Sequence, residues 1–443
     1  MAKGTFAQQA PRDDFSVRRE RAVLVGVLDN GAEVIGDPLA ELAELARSAG
    51  AEVVGRAVQK RRGCDPATCV GKGKLEEIRQ RADAADADVI IFNNELSPSQ
   101  IREIEKATGR KVLDRSELIL DIFATRARTT QARLQVELAQ LEYTAPRLRG
   151  MWTHLERIAG AGGASGAGVV GGIGTRGPGE TQIEIDRRIV DRRVAFLKRK
   201  LEAIDRRKLR EVRARREHFT ASLVGYTNAG KSTLMNALTG AGARVENLLF
   251  MTLDTLTRRW ELGSGRCVLL SDTVGFIRDL PHHLVASFRA TLEEAIHADL
   301  LLHVADASSP CADEQIEVVK GVLEELGAGD KPALLLLNKM DAVSDEGLLT
   351  ILRQNYPDAL PISALTGAGL DRLRDAVEAQ MRGERQRLTL SVCATDGKAL
   401  GFLERFADVL DRRYDNGRAI LDVLIPPRAL EHLHTIARDV RHI

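Results

Sequence analysis

The sequence lacks the features that mark secreted, membrane-spanning and disulfide-rich proteins. No uninterrupted apolar stretch approaches the ~20 residues that a transmembrane helix needs, and residues 1–12 contain no signal-peptide core. The five cysteines show no spacing typical of metal ligands, which predicts a reducing compartment and no disulfide framework. They are Cys64, Cys69, Cys267, Cys311 and Cys393. These absences predict a soluble cytoplasmic protein without a membrane span, and peripheral association with a membrane stays open.

A charge excess of one sign is also missing. The 443 residues include 64 Lys and Arg against 63 Asp and Glu, a net charge of +1. Any surface that binds nucleic acid must therefore come from local clustering of cations. The length allows two or three domains, each with its own core.

The phosphate loop, residues 225–232, reads Gly-Tyr-Thr-Asn-Ala-Gly-Lys-Ser and matches the pattern G-x-x-x-x-G-K-[ST]. An apolar run precedes it and a helix-like segment follows it, which is the context that the pattern requires. Lys231 is placed to meet the β- and γ-phosphates of a nucleotide, and Ser232 to offer its hydroxyl to Mg²⁺. We predict a phosphate site, the alternative being a structural Gly-rich turn. The predicted contacts are Gly225, Tyr226, Thr227, Asn228, Ala229, Gly230, Lys231, Ser232 and Thr233.

A second motif, Asn338-Lys339-Met340-Asp341, closes the apolar run 333–337 and predicts which base is bound. The Asp341 carboxylate can accept hydrogen bonds from the N1–H and the exocyclic amino group of guanine. Adenine has no donor at N1, and a buried acceptor left unpaired costs about 1–3 kcal/mol. We expect Asn338 to brace the loop and the Lys339 stem to lie over the base. Ser363 and Ala364 fit a backbone contact to guanine O6, so GTP is the predicted substrate.

Asp272-Thr273-Val274-Gly275 follows the strand-like run 268–270. An Asp at a strand end can hold a Mg²⁺-bound water, and the Gly275 N–H can contact a γ-phosphate. Thr252 occupies the interval where a hydroxyl should reach Mg²⁺, with Thr255 and Thr257 as alternatives. The order of these motifs predicts a GTPase domain. The predicted catalytic residues are Lys231, Thr252 and Gly275, the predicted Mg²⁺ ligands are Ser232, Thr252 and Asp272, and Thr273 and Val274 complete the nucleotide contacts.

Phe276 stands where many GTPases carry a Gln that orients the attacking water. An aromatic ring cannot position water, so we expect slow hydrolysis unless a partner or another residue completes the site. The Asn228 amide can help to coordinate K⁺ beside the phosphates, where the ion would supply positive charge. Ordinary loop chemistry is the alternative for Asn228.

Short apolar runs at 22–28, 52–57 and 89–92 alternate with helical patterns and predict a small α/β domain. Two leucine-rich seams, in 130–143 and 190–204, predict a long antiparallel helical hairpin. The tail reads as strands 388–393 and 419–425 around a helix 399–412. The predicted boundaries are 1–20 for a flexible N-terminus, 21–125 for the α/β domain, 126–217 for the hairpin, 218–383 for the GTPase domain and 384–443 for a small βαβ domain.

The second hairpin helix is unusually basic. Residues 187–217 contain fourteen Lys and Arg against five Asp and Glu. We predict a polyanion-binding surface, the alternative being a solvated helix face. The Gly-rich segment 158–180 between the seams has arginines at its flanks and is predicted to order on RNA, or else to be a plain connector.

Several blocks resemble the HflX family of ribosome-associated GTPases, over roughly residues 20–380. They are residues 94–98, 112–123, 135–141, 172–180, the phosphate loop, 252–254 and 272–281. The resemblance implies a monomer that binds GTP, GDP and the large ribosomal subunit with its RNA, and that dissociates stalled or idle ribosomes. It also implies hydrolysis that the ribosome stimulates. Some members of the family are associated with an ATPase activity of the N-terminal domain. We do not predict this activity here, because no second Walker motif is present.

Two alternatives remain at this point. One is a GTPase that acts in ribosome assembly or RNA modification. The other is an RNA-binding scaffold in which the nucleotide only stabilises the fold.

Overall fold

The computed structural model describes residues 20–29, 36–145, 182–214, 219–240, 249–250, 255–263, 266–278, 295–383, 386–437 and 439–443. The chain divides into two compact units, Met1–Leu118 and Ile119–Ile443. Three separate β-sheets lie in the described ranges, one in the first unit and two in the second. The mixed α/β fold class predicted from the sequence is confirmed.

The first unit contains a parallel four-stranded sheet in the order β2-β1-β3-β4. Its strands are β1 (Arg21–Leu28), β2 (Glu52–Lys60), β3 (Val89–Phe92) and β4 (Lys111–Asp114). Its helices are α1 (Ala40–Ser48), α2 (Lys72–Ala84) and α3 (Pro98–Thr108). The three predicted strands are confirmed. Strand β4 is a fourth, and it was hard to recognise because only two of its residues, Val112 and Leu113, are apolar. Ser97 caps α3 through a reciprocal capping box with Gln100, as a Ser before Pro at a helix start favours.

Cysteine spacing predicted no pairing of Cys64 with Cys69, but the structure places their sulfur atoms next to each other, with the two Cα atoms 4.2 Å apart. Backbone hydrogen bonds between Asp65 and Cys69, at 2.7 and 2.9 Å, close a tight turn here. Cys69 adopts a left-handed φ of 61°. This turn is a local backbone conformation that cysteine spacing does not reveal.

Helices α4 (Arg115–Arg126), α5 (Thr130–Thr144) and α6 (Gln182–Ala214) follow. Helices α5 and α6 pack along the predicted seam, where Leu138, Leu197 and Leu201 are buried together. Two ion pairs join the same helices, Arg193 to Glu137 at 2.6 Å and Lys198 to Glu142 at 2.8 Å. The apolar spacing thus decided which face of α6 is covered. The Gly-rich segment 158–180 and the flanking residues 147–149 lie outside the described residues.

The central sheet of the second unit has six strands in the order β10-β9-β8-β5-β7-β6. All neighbours are parallel except β6, which pairs with β7 in the antiparallel sense. The strands are β5 (Phe219–Gly225), β6 (Leu256–Gly263), β7 (Arg266–Asp272), β8 (Leu300–Asp306), β9 (Ala333–Asn338) and β10 (Leu360–Pro361). The helices are α7 (Lys231–Thr239), α8 (Ala312–Glu325), α9 (Glu346–Asn355) and α10 (Leu370–Gly383). The carboxyl ends of β5, β7, β8 and β9 therefore meet at one edge, where open parallel sheets bind ligands.

The C-terminal sheet is antiparallel, in the order β12-β13-β11-β14. Its elements are β11 (Gln386–Cys393), α11 (Gly397–Phe406), β12 (Asp408–Asp415), β13 (Arg418–Ile425), α12 (Pro427–Ile436) and β14 (Val440–His442). This is a ferredoxin-like βαββαβ arrangement rather than the single predicted βαβ unit. The predicted helix 399–412 was wrong beyond Phe406, because β12 is mostly charged and gives no apolar alternation to recognise.

Candidate nucleotide-binding site

The phosphate loop connects the buried central strand β5 to helix α7. Gly225 and Gly230 have φ values of 149° and 93°, and Asn228 has a φ of 60°. A Cβ at Gly225 would collide with the Val304 carbonyl oxygen, and one at Gly230 with the Asn338 amide nitrogen. These glycines are therefore required by their backbone conformation and by the close approach of the β8 backbone to Gly225 and of the Asn338 side chain to Gly230.

Lys231, at the start of α7, has its side chain inside this loop. It is 7% exposed, and its Nζ donates hydrogen bonds to the carbonyl oxygens of Gly225 at 3.0 Å and Tyr226 at 2.7 Å. Burial lowers the pKa of Lys231 to about 8, against an opposing effect of the nearby Asp272 carboxylate. A phosphate that enters the loop would give this cation an anionic partner in place of two neutral carbonyls.

The Ser232 hydroxyl donates to Asp272 Oδ2 at 2.6 Å. Asp272 ends β7 and is 2% exposed, so adjacent strands β5 and β7 bring these two residues together. A hydroxyl and a carboxylate oxygen at this spacing fit the hard oxygen ligands that Mg²⁺ prefers, directly or through water. The third predicted ligand, Thr252, lies outside the described residues.

Of the segment just before Thr252, the structure describes only Leu249 and Phe250. Phe250 is buried with a φ of 55°, and its ring packs edge to face on Phe123 with centroids 4.7 Å apart. Of the two alternatives to Thr252, Thr257 lies within β6 and its hydroxyl shares a 2.9 Å hydrogen bond with the Ser271 hydroxyl. That contact gives Thr257 a role in strand pairing.

The switch segment, residues 272–278, runs directly past the phosphate loop. The Thr273 hydroxyl donates to the Leu223 carbonyl at 2.6 Å, which ties the segment to β5. A Cβ at Gly275 would lie 2.8 Å from Thr227 Cα and 3.0 Å from Lys231 Nζ, so only glycine fits without a shift. Val274 and Phe276 are 6% and 2% exposed. The Phe276 side chain is thus part of the protein interior.

Asn338 joins the two predicted halves of the site. It is 1% exposed; its Nδ2 donates to the Ala229 carbonyl at 2.9 Å, and its Oδ1 accepts from the Ala364 N–H at 2.9 Å. One amide therefore connects the phosphate loop with the loop predicted to contact guanine O6. This is a more specific bracing role than the sequence predicted.

The predicted base-recognition residues also lie together. The Ser363 hydroxyl donates to Asp341 Oδ1 at 2.5 Å, which orients the carboxylate. Lys339 adopts a left-handed φ of 61°, and its Nζ lies 2.7 Å from Asp306 Oδ2. Sequence reasoning missed Asp306, although its place at the carboxyl end of β8 was an available signal.

The basic face of α6 is the other predicted functional surface. Arg193 and Lys198 form the ion pairs with α5, and the other cations of α6 whose side chains are described are exposed to solvent. The exposed ones are Arg187, Arg188, Arg192, Arg199, Lys200 and Arg206. The side chains of residues 207–216 lie outside the described set. No helix in the described ranges is long and apolar enough to span a membrane.

A parallel sheet with a phosphate loop after its central strand, an Asp-Thr-Val-Gly segment beside it and an Asn-Lys-x-Asp motif two strands away defines a P-loop GTPase. The family model described as "50S ribosome-binding GTPase" matches residues 220–339. Models described as "GTP-binding GTPase N-terminal" and "GTP-binding GTPase Middle Region" match residues 36–124 and 126–216.

Curated relatives name the family. A GTPase HflX of Caldanaerobacter subterraneus is 45% identical over 405 residues, 91% of this chain and 90% of that protein. The GTPase HflX of Escherichia coli is 43% identical over 382 residues, 86% of this chain and 87% of the relative. The chain therefore belongs to the HflX family of GTPases, and the predicted resemblance and enzyme class are confirmed. A GTP-binding protein of Sulfolobus solfataricus, solved with GDP, is 25% identical and covers 82% of this chain and 98% of its own, with a TM-score of 0.40.

Proposed function

We propose that this protein is a GTP-driven switch in the cytoplasm that binds the large ribosomal subunit and dissociates stalled or idle ribosomes. The observation that carries the proposal is the basic face of α6. Because the leucine seam holds one side of α6 against α5, the residues half a turn away face outwards. Four exposed cations, Arg188, Arg192, Arg199 and Arg206, recur there at spacings of four and seven residues and form a row along α6. Such a row attracts a phosphate backbone by releasing its condensed counterions.

In the proposed reaction, water attacks the γ-phosphorus of GTP, the bond from the γ-phosphorus to the β–γ bridging oxygen breaks, and GDP and inorganic phosphate are released. Lys231 and the loop N–H groups hold the phosphates. Ser232, Asp272 and Thr252 would hold a Mg²⁺ ion, directly or through water, and the ion would supply positive charge beside the phosphates. The Gly275 N–H contacts the γ-phosphate, and Asp341 recognises guanine. Binding of GTP would order the segments around Thr252 and Gly275, and hydrolysis would release the protein from the ribosome.

Sedimentation of purified ribosomes tests this function. The protein should act as a monomer and separate the subunits with GTP or a non-hydrolysable analogue, and should leave them together with GDP. Combined Arg192→Glu and Arg199→Glu should abolish large-subunit binding without changing GTP affinity. Arg353→Glu, an exposed arginine on α9, is the matched control. Co-migration with the small subunit alone, or binding indifferent to the charge reversals, contradicts the proposal.

We further propose that K⁺ stimulates hydrolysis through Asn228. The supporting observation is its half-buried side chain and left-handed backbone within the phosphate loop. A cation there would supply the charge that an arginine finger supplies elsewhere. Hydrolysis should be faster in KCl than in NaCl at equal ionic strength, and Asn228→Ala should remove the difference. Equal rates in both salts would refute the potassium site.

A further inference from the structure

The side chain of Tyr226 links the phosphate loop to the switch segment. Its hydroxyl accepts a hydrogen bond from the backbone N–H of Arg278 at 2.7 Å. Two backbone hydrogen bonds run beside it, from the Thr227 N–H to the Phe276 carbonyl at 2.7 Å and from the Phe276 N–H to the Gly225 carbonyl at 3.1 Å. The tyrosine therefore adds a third connection, from a residue counted among the phosphate contacts to the far end of the switch segment.

These connections surround Gly275. On its amino-terminal side the Thr273 hydroxyl fixes the chain to β5, and on its carboxyl-terminal side the chain is held at Phe276 and Arg278. Between these points, Gly275 packs against Thr227 and the Lys231 ammonium. The position of the Gly275 N–H is thus set by hydrogen bonds on both sides rather than by a side chain of its own.

Because the Phe276 ring is buried, hydrolysis in this protein depends more strongly on backbone groups than in a GTPase with a Gln at that position. A misplaced N–H at Gly275 would then not be compensated by a neighbouring side chain. Small positional errors in such a site have large effects on rate.

We propose that Tyr226 is a positioning residue for GTP hydrolysis: its hydroxyl holds the switch segment so that the Gly275 N–H faces the γ-phosphate. This inference rests on the proposed role of Gly275. The side chain acts through Arg278 and Gly275 and does not itself touch the reacting atoms. The competing explanation is that the ring only fills the interior, since Tyr226 is 6% exposed.

Tyr226→Phe separates the two explanations, because it keeps the ring and removes only the hydroxyl. Loss of one net hydrogen bond predicts a kcat lower by about three- to tenfold. The affinity for GTP and GDP should stay within about twofold, since the loop N–H groups and Lys231 are unchanged. Hydrogen–deuterium exchange of the peptide that contains Arg278 should become faster.

Tyr356→Phe is the matched control, because it removes a tyrosine hydroxyl bonded to Glu317 at 3.1 Å in the same sheet domain. It should retain the wild-type kcat and the wild-type exchange at Arg278. An unchanged kcat in Tyr226→Phe overturns the inference, as does a fall in kcat that is matched by an equal loss of affinity. Gly275→Ala tests the underlying assumption separately: if it hydrolyses GTP like the wild type, the proposed role of Gly275 itself fails.

Discussion

Raising the pH through 8 should weaken the binding of GTP, because Lys231 must be protonated to attract phosphate. In the nucleotide-free protein, burial lowers the pKa of this ammonium to about 8, from about 10.4 for an ordinary lysine. A bound phosphate chain stabilises the ammonium and returns its pKa to a high value. Binding above pH 8 must therefore be coupled to proton uptake.

The magnitude follows from the lowered pKa. At pH 8.5 a group with a pKa of about 8 is mostly deprotonated, so binding should take up about three quarters of a proton. Between pH 7 and pH 9 the affinity should fall about tenfold. The same shift has an effect on folding: the unfolded chain binds more protons between the two pKa values, so the free energy of unfolding of the nucleotide-free protein should rise with pH in that window.

Isothermal titration calorimetry in two buffers with different ionisation enthalpies measures the uptake directly. Lys231→Arg should bind GTP more weakly and take up no proton, because a guanidinium stays charged throughout this range. Lys320→Met, a change on the outer helix α8, should keep the wild-type uptake. The reasoning fails if the wild type takes up no proton at pH 8.5, or if Lys231→Arg takes up as much as the wild type.

Three further outcomes are expected. Asp341→Asn should weaken GTP binding about tenfold to a hundredfold, because charge-assisted hydrogen bonds to guanine are lost. It should improve the binding of xanthosine triphosphate, because the C2 carbonyl of xanthine can accept a hydrogen bond from the new amide. If Asp341 does not face the base, competition binding will show that the variant still prefers GTP to xanthosine triphosphate. Leu197→Ala should lower the free energy of unfolding, measured by urea denaturation, by about 2–5 kcal/mol, because Leu197 is buried in the seam. Phe196 is exposed, so Phe196→Ala should change this free energy little. Equal effects of the two substitutions would contradict the packed seam. Burial, with Lys320 and Lys231 nearby, lowers the pKa of His303 to about 4, so the unfolded chain binds more protons below pH 6.5. His303→Gln should therefore lessen the loss of stability between pH 7 and pH 5 by about 2 kcal/mol, and an unchanged loss would refute this assignment.

Local sequence was sufficient for the parts of the protein that depend on short-range spacing. The glycines of the phosphate loop, the Asn-Lys-x-Asp tetrapeptide and the two apolar stripes of the leucine seam can each be recognised from residues that are close in the chain, so the order of residues was enough to predict them. The Ser97 cap was predictable for the same reason. Where a strand has no apolar alternation, as in β12, the pattern carries no information and the prediction failed.

Tertiary structure alone decided how these parts are joined. Tyr226 meets Arg278, and Asn338 connects Ala229 with Ala364, because the order and register of the parallel strands bring distant loops to one edge of the sheet. Lys339 finds Asp306 in the same way. The sequence determined which groups are available for GTP chemistry. Their distances and burial, and hence the lowered pKa of Lys231, depend on contacts between residues far apart in the chain, which no local periodicity encodes.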